Sequence, residues 1–195
     1  MQAHDQYVTL RGLRFHYRVV GAPDAPPVLV LHGIMGHSPE WDVLVSALAS
    51  RFRVAVGLAA FVKALGSASY DSVDQAYAEW SENPMARPEL LRHYVEHCLV
   101  RGGDGRLRRC FDGIGLARFF SGVSESELWQ AVDRIACPVL LVRGEHSPAL
   151  SDSTAEEMMR RFRDARLALI PGAGHDLGVE QPEAVADAAI DFLSK

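Results

Sequence analysis

Apolar and polar residues alternate near the start of the chain and shift to a helical period in its middle. "YVTLRG" and "LRFHYRVVG" place apolar residues at every second position around a glycine, the pattern of an antiparallel hairpin. "PPVLVLHG" breaks that rhythm. Val28 to Leu31 are apolar without interruption, which predicts a strand covered on both faces, as in a parallel sheet. Ser38 and Pro39 then stand as helix N-cap and first helical position, and Trp41, Leu44, Val45 and Leu48 recur at helical spacing. "RFRVAV" predicts the next strand and completes a strand, helix, strand unit of α/β type.

From Gly57 to about Phe120 the period is helical. "GLAAFVKAL", "SVDQAYAEW" and "PELLRHYVEHCLV" carry apolar residues at helical intervals, separated by Ser, Asn, Pro and Gly. "RGGDGRLRRCFD" reads as a turn with a solvated arginine cluster. Beyond Trp129 the α/β pattern returns. "CPVLLVRGE" predicts a buried strand, "STAEEMMRRF" an amphipathic helix opened by Ser153 or Thr154, and "ARLALIPGAGH" a strand running into a glycine-rich loop. "EQPEAVADAAIDFL" predicts a closing helix, and no repeat or linker divides the chain into independent domains.

Composition narrows this picture. A chain of 195 residues with 48% hydrophobic and 23% charged content has the profile of one globular domain with a sizeable core. A net charge of −5 gives no electrostatic footprint for nucleic acid or an anionic membrane. "MQAHDQYVTL" has neither a basic start nor an apolar core, and no apolar run reaches spanning length, so the expectation is a soluble cytoplasmic protein. Cys98, Cys110 and Cys137 form no CxxC pair and read as reduced thiols.

Two stretches carry candidate chemistry. In "LVLHGIMGHSPEW", a strand ends at His32-Gly33 just before a helix. Its backbone N–H groups then point outward at the carboxyl end of a sheet, where ligands of open α/β folds sit, and can stabilise a developing oxyanion. In "IPGAGHDLGVEQPEAVADAAIDFL", His175 stands in a glycine-rich loop directly after a strand, a setting that suits a general base.

Taken in order, "VLVLHGIMGHSPEW", "CPVLLVRGE" and "IPGAGHDLGVEQPEAVADAAIDFL" resemble the α/β-hydrolase superfamily, in its small branch of esterases, lactonases and carbon–carbon-bond hydrolases. The resemblance covers residues 6–56 and about 125–195, with Gly57 to Phe120 resembling a helical cap. It implies a truncated α/β-hydrolase-like sheet with an N-terminal hairpin, flanking helices and a helical cap insertion. Residues 1–56 and 121–195 would form a discontinuous core and 57–120 the cap. It further implies oxyanion-hole and substrate contacts from Gly33, Ile34 and Met35, with the Ile34 amide foremost, and His175 as triad base. The implied reaction is hydrolysis of an ester, lactone or related carbonyl compound through a serine acyl-enzyme. A small-molecule substrate or ligand is expected, with no cofactor, no metal, no nucleic acid and no membrane.

Departures from the pattern shape the expectation as much as the match. The family's nucleophile sits on a G-x-S-x-G elbow, and none occurs in this sequence. The nearest text, "GVSES", makes Ser124 the candidate nucleophile, yet no buried strand precedes it and Ser124 also reads as the cap of "ESELWQAV". The family acid would follow "LLVRGE", where Ser147 and Pro148 stand. Glu145 and Asp152 are the carboxylates available nearby, each also readable as a surface group. Val56 runs directly into "GLAAFVKALG", as if a contiguous block carrying the elbow were absent. Such a gap would leave sheet edges open and favour self-association. The competing function is a catalytically inactive remnant that binds a small molecule or a partner protein.

Three further features have plain structural readings. "HYVEH", residues 93–97, fits H-x-x-E-H, but without a third ligand it reads as a polar helix face. His32 and His37 either border the pocket or make structural hydrogen bonds. Tyr77, Trp80, Phe119, Phe120 and Trp129 either line an apolar pocket or pack as core.

Overall fold

A computed structural model describes residues 3–10, 13–31, 37–60, 65–110 and 124–194. The expected oxyanion positions Gly33, Ile34 and Met35, with His32, lie outside the described residues, as do Phe119 and Phe120. The chain forms two compact units, Met1–Gly113 and Ile114–Lys195.

The first unit opens with the alternating segments as strands β1 (His4–Leu10) and β2 (Leu13–Val20), paired antiparallel. With β3 (Pro27–Val30) and β4 (Arg53–Ala60) they form a sheet ordered β1-β2-β4-β3, in which only β3 and β4 run parallel. A single 3₁₀ turn, Ser38–Trp41, leads into helix α1 (Asp42–Leu48), which packs on β4. Its inward residues Leu44, Val45 and Leu48 are buried, as are Val54 and Val56 of β4, because the helical and strand periods present their apolar faces to each other.

Two expectations are corrected here. The cap of the 3₁₀ turn is His37 and not Ser38: the His37 Nδ1 accepts the Glu40 amide at 3.2 Å. Ser38 is instead buried, with Oγ taking the Arg18 Nε–H at 3.0 Å. Strand β3 is also not covered on both faces, since Leu29 and Leu31 are 56% and 57% exposed. Leu29 and the following Leu31 stand two positions apart and so on one face, and that face is open.

Residues 57–110 contain the helices expected from apolar spacing, α2 (Val73–Trp80) and α3 (Pro88–Cys98). They also contain strands where helix was expected. "GLAAFVKAL" supplies the end of β4 and the start of β5 (Leu65–Tyr70), which joins β6 (Leu99–Arg101) and β7 (Leu107–Cys110) in an antiparallel sheet ordered β5-β7-β6. A short run of Leu, Ala and Val fits either element by period alone, and strand pairing with β2 and β7 decides it. Tyr70, Ala76, Leu91, Val95 and Leu107 form the core beneath the helices.

In the second unit, helix α4 (Glu125–Asp133) is followed by β8 (Val139–Gly144), α5 (Asp152–Arg161), β9 (Ala165–Ile170), the one-turn α6 (Leu177–Glu180) and α7 (Pro182–Leu193). β8 and β9 pair in parallel, with α5 packed on β9 and α7 across both strands. The cap of α5 is Ser151, whose Oγ accepts the Thr154 amide at 3.1 Å, so the cap stands two or three residues before the expected Ser153 or Thr154. No helix among the described residues is long and apolar enough to cross a membrane.

Candidate functional site

The parallel pair β8 and β9 ends in two loops, residues 145–151 and 171–176, and the backbone ties them together. Glu145 N–H donates to the Ile170 carbonyl at 3.0 Å and His146 N–H to the Ala173 carbonyl at 2.8 Å. The approach is close enough to exclude a side chain at Gly144, where a Cβ would lie 1.8 Å from the Gly174 carbonyl oxygen. Gly172 turns the second loop with φ of +67°, and its amide donates to Glu145 Oε2 at 2.8 Å.

These contacts bring His175 to Ser147. The hydroxyl of Ser147, a buried residue, lies 3.1 Å from His175 Nδ1, and it also accepts the Leu150 amide at 3.4 Å. Neither Glu145 nor Asp152 occupies that place. Glu145 is committed to Gly172 and stands 3.8 Å from His146 Nε2, while Asp152 pairs with Arg143 Nη1 at 2.9 Å. Arg143 is itself buried and donates through Nε to the Leu150 carbonyl at 2.6 Å, so the Asp152 pairing braces the loop behind Ser147.

A hydroxyl has two lone pairs, enough to accept both the Leu150 amide and an imidazole Nδ1–H. In that tautomer the histidine lone pair stands on Nε2, the nitrogen a general base uses; in the other the hydroxyl donates to Nδ1 and Nε2 carries the proton, and no described hydrogen bond involves Nε2. What the hydroxyl lacks is charge. A carboxylate at Nδ1 stabilises the imidazolium that forms during proton abstraction, and a serine does so far less.

Ser124 caps α4. Its Oγ accepts the Glu127 amide at 3.3 Å, its backbone N–H donates to Glu127 Oε2 at 2.8 Å, and the two residues form a capping box. The Ser124 backbone amide foremost, and then the Ser124 hydroxyl donating to Oε2 at 2.7 Å, hold the exposed Glu127 carboxyl below its usual range. "HYVEH" lies on α3 with the His93 and His97 rings 4.3 Å apart. His93 Nε2 meets Asp42 Oδ2 at 3.1 Å, and no metal-holding group of three ligand residues occurs among the described residues. Trp80 packs edge-on to Tyr70 in the core at a ring separation of 6.0 Å, whereas Trp129 lies under the Arg161 guanidinium at 4.8 Å.

One group at this site escaped the sequence reading. Glu180, 3% exposed, sends its carboxylate back to the loop bearing His175. Its place five residues after His175, next to Val179, is the local signal the sequence offers.

Known proteins share this architecture. The solved structure of an E-2-(acetamidomethylene)succinate hydrolase has the same fold, with a TM-score of 0.84 at 18% identity over 100% of both chains. In sequence, a Bacillus subtilis protein provisionally named 2-succinyl-6-hydroxy-2,4-cyclohexadiene-1-carboxylate synthase is 30% identical over 127 residues, 64% of this chain and 44% of that protein. The 2-(acetamidomethylene)succinate hydrolase of Mesorhizobium japonicum is 31% identical over 90 residues, 46% of this chain and 32% of the relative. The chain thus spans less than half the length of the curated relatives it matches. The model of the alpha/beta hydrolase family matches residues 55–188. Because that match spans more than half of the chain, from β4 to past the loop that carries His175, the chain belongs to the alpha/beta hydrolase family.

Proposed function

We propose that the reaction of this chain is hydrolysis of an ester, lactone or related carbonyl compound, with His175 drawing a proton from water at Nε2. The triad is incomplete: no G-x-S-x-G supplies an activated serine, and Ser147 stands where a carboxylate would orient and charge-stabilise the base. The observation that carries the reading is the 3.1 Å contact between Ser147 Oγ and His175 Nδ1, which engages one ring nitrogen and leaves Nε2 for proton transfer. General-base action of this kind contributes about 10²- to 10⁴-fold, well short of a full triad with its oxyanion hole. The two sequence relatives are named for succinyl and succinate compounds, so carboxylate-bearing esters belong in the substrate panel.

Hydrolysis of p-nitrophenyl acetate, a γ-lactone and a succinate monoester by the wild-type chain and His175→Ala tests this. Turnover should fall by about tenfold or more in the variant. Equal rates would remove His175 from the chemistry. A serine-directed fluorophosphonate should leave no adduct on Ser124, whose hydroxyl is engaged by Glu127.

The neutral Ser147 also favours a second reading, a remnant that binds a carbonyl ligand or a partner protein without converting it. That reading predicts a ligand-dependent rise in Tm with no turnover in either form.

A further inference from the structure

We propose that Glu180 is a positioning residue for His175, holding the histidine's backbone from both sides; this deepens the reading of His175 as the base and rests on it. The amide of Gly174, the residue before His175, donates to Glu180 Oε2. The amide of Asp176, the residue after it, lies 3.4 Å from Glu180 Oε1. One carboxylate thus brackets the histidine. Its own position is fixed by α6, a single turn whose amides of Val179 and Glu180 return to the Asp176 carbonyl at 2.9 and 3.1 Å.

The chemistry of the group explains why a glutamate stands here. An ionised carboxylate offers acceptors on both oxygens and no donor, so it can satisfy two amide N–H groups that face each other across one residue. A glutamine offers one acceptor oxygen and an NH₂ that cannot accept. In either orientation it leaves one of the two amides facing another donor. An alanine leaves both amides without the carboxylate. At 3% exposure Glu180 has little water to replace those bonds, so the cost of a substitution falls on the loop geometry.

The two ends of His175 are therefore set by different residues. Ser147 engages the ring at Nδ1, Glu180 the main chain on either side, and Glu145 the turn one step earlier through Gly172. Loss of the ring contact frees Nδ1 and leaves the main-chain bracket in place. Loss of the main-chain bracket moves the whole residue, so Nε2 no longer points along one direction. A base that wanders loses rate more than substrate affinity, because alignment matters in the transition state and not in binding.

Glu180→Gln, Ser147→Ala and the wild-type chain, each ¹⁵N-labelled, decide the matter. Glu180→Gln should speed amide hydrogen exchange at Gly174 and Asp176 by about tenfold or more while the amides of β8 keep wild-type protection. The imidazole ¹⁵N shifts of His175 should move toward a mixture of tautomers. Ser147→Ala should change those ring shifts and leave the two amides protected. Unchanged exchange at both amides in a folded Glu180→Gln chain overturns the proposal. Should that variant fail to fold, long-range scalar couplings in the wild type, from the Gly174 and Asp176 amide nitrogens to the Glu180 carboxyl carbon, give the answer; their absence overturns it. Where turnover is measurable, Glu180→Gln should lower kcat about tenfold with little change in KM. An unchanged kcat against a His175→Ala chain that has lost activity also overturns it. Activity that survives His175→Ala instead defeats the proposed reaction and leaves the exchange result to judge the bracket alone.

Discussion

Ser147 and His175 are 28 residues apart in sequence, and their contact ties the imidazole at Nδ1. The hydroxyl orients the ring without supplying charge, so replacing it with a carboxylate should strengthen the base. In Ser147→Asp, His175-dependent ester hydrolysis is expected to rise on the order of tenfold, measured as initial rates beside the Ser147→Asp/His175→Ala double variant. A rate that does not rise, or that persists in the double variant, would mean the Nδ1 partner does not limit the reaction. His175 stood out in the sequence as a candidate base because it follows an apolar run in a glycine-rich loop. Its partner was not legible. Glu145, Ser147 and Asp152 all fall within one short stretch, and which of them faces the ring depends on loop geometry that a periodic pattern does not encode.

Elements here are stabilised by local devices whose removal has a calculable cost. Ser124→Ala deletes the side-chain half of the capping box on α4 and should destabilise that helix by about 1 kcal/mol, read from urea unfolding of the chain. Gly144→Ala places a methyl against the Gly174 carbonyl at the end of β8, so an overpacking cost of about 1–3 kcal/mol is expected from the same measurement. The hairpin of β6 and β7 gives a pH-dependent case. Asp104 accepts from Arg108 Nη1 at 2.7 Å and from the Arg106 amide at 3.1 Å; these bonds, Arg108 foremost, hold its carboxyl well below the usual range. A depressed carboxylate contributes stability that is complete above its unfolded pKa of about 4 and is lost as pH falls through the lower folded value. The hairpin should therefore loosen only below about pH 4, seen as a late acid transition in the Arg106 and Arg108 amide shifts. Asp104→Asn should abolish that transition. Helices α1, α4 and α7 were legible from apolar spacing, whereas β5 was not, since its residues pair with a strand that lies beyond two helices.

At the scale of the whole chain, β3 ends its sheet among the described residues, with Leu29 and the following Leu31 largely exposed, and β9 presents Leu167 and Leu169 at 43% and 50% exposure. An apolar edge strand is a template for pairing with another chain, and we propose self-association through β3 on that ground. Light scattering after size exclusion should show concentration-dependent oligomers that Leu29→Lys shifts toward monomer; a monomer at all concentrations would reject the idea. What the sequence alone determined is the α/β alternation, the hydrolase resemblance and the absence of a serine elbow, because period and motif are local properties of the chain. What the tertiary structure decided is which atoms meet: Ser147 at the His175 ring, Glu180 on its main chain, and β3 beside β4 alone among the described residues. Those outcomes depend on how loops far apart in sequence fold back on two parallel strands, and short polar loops offer several such arrangements until packing selects one.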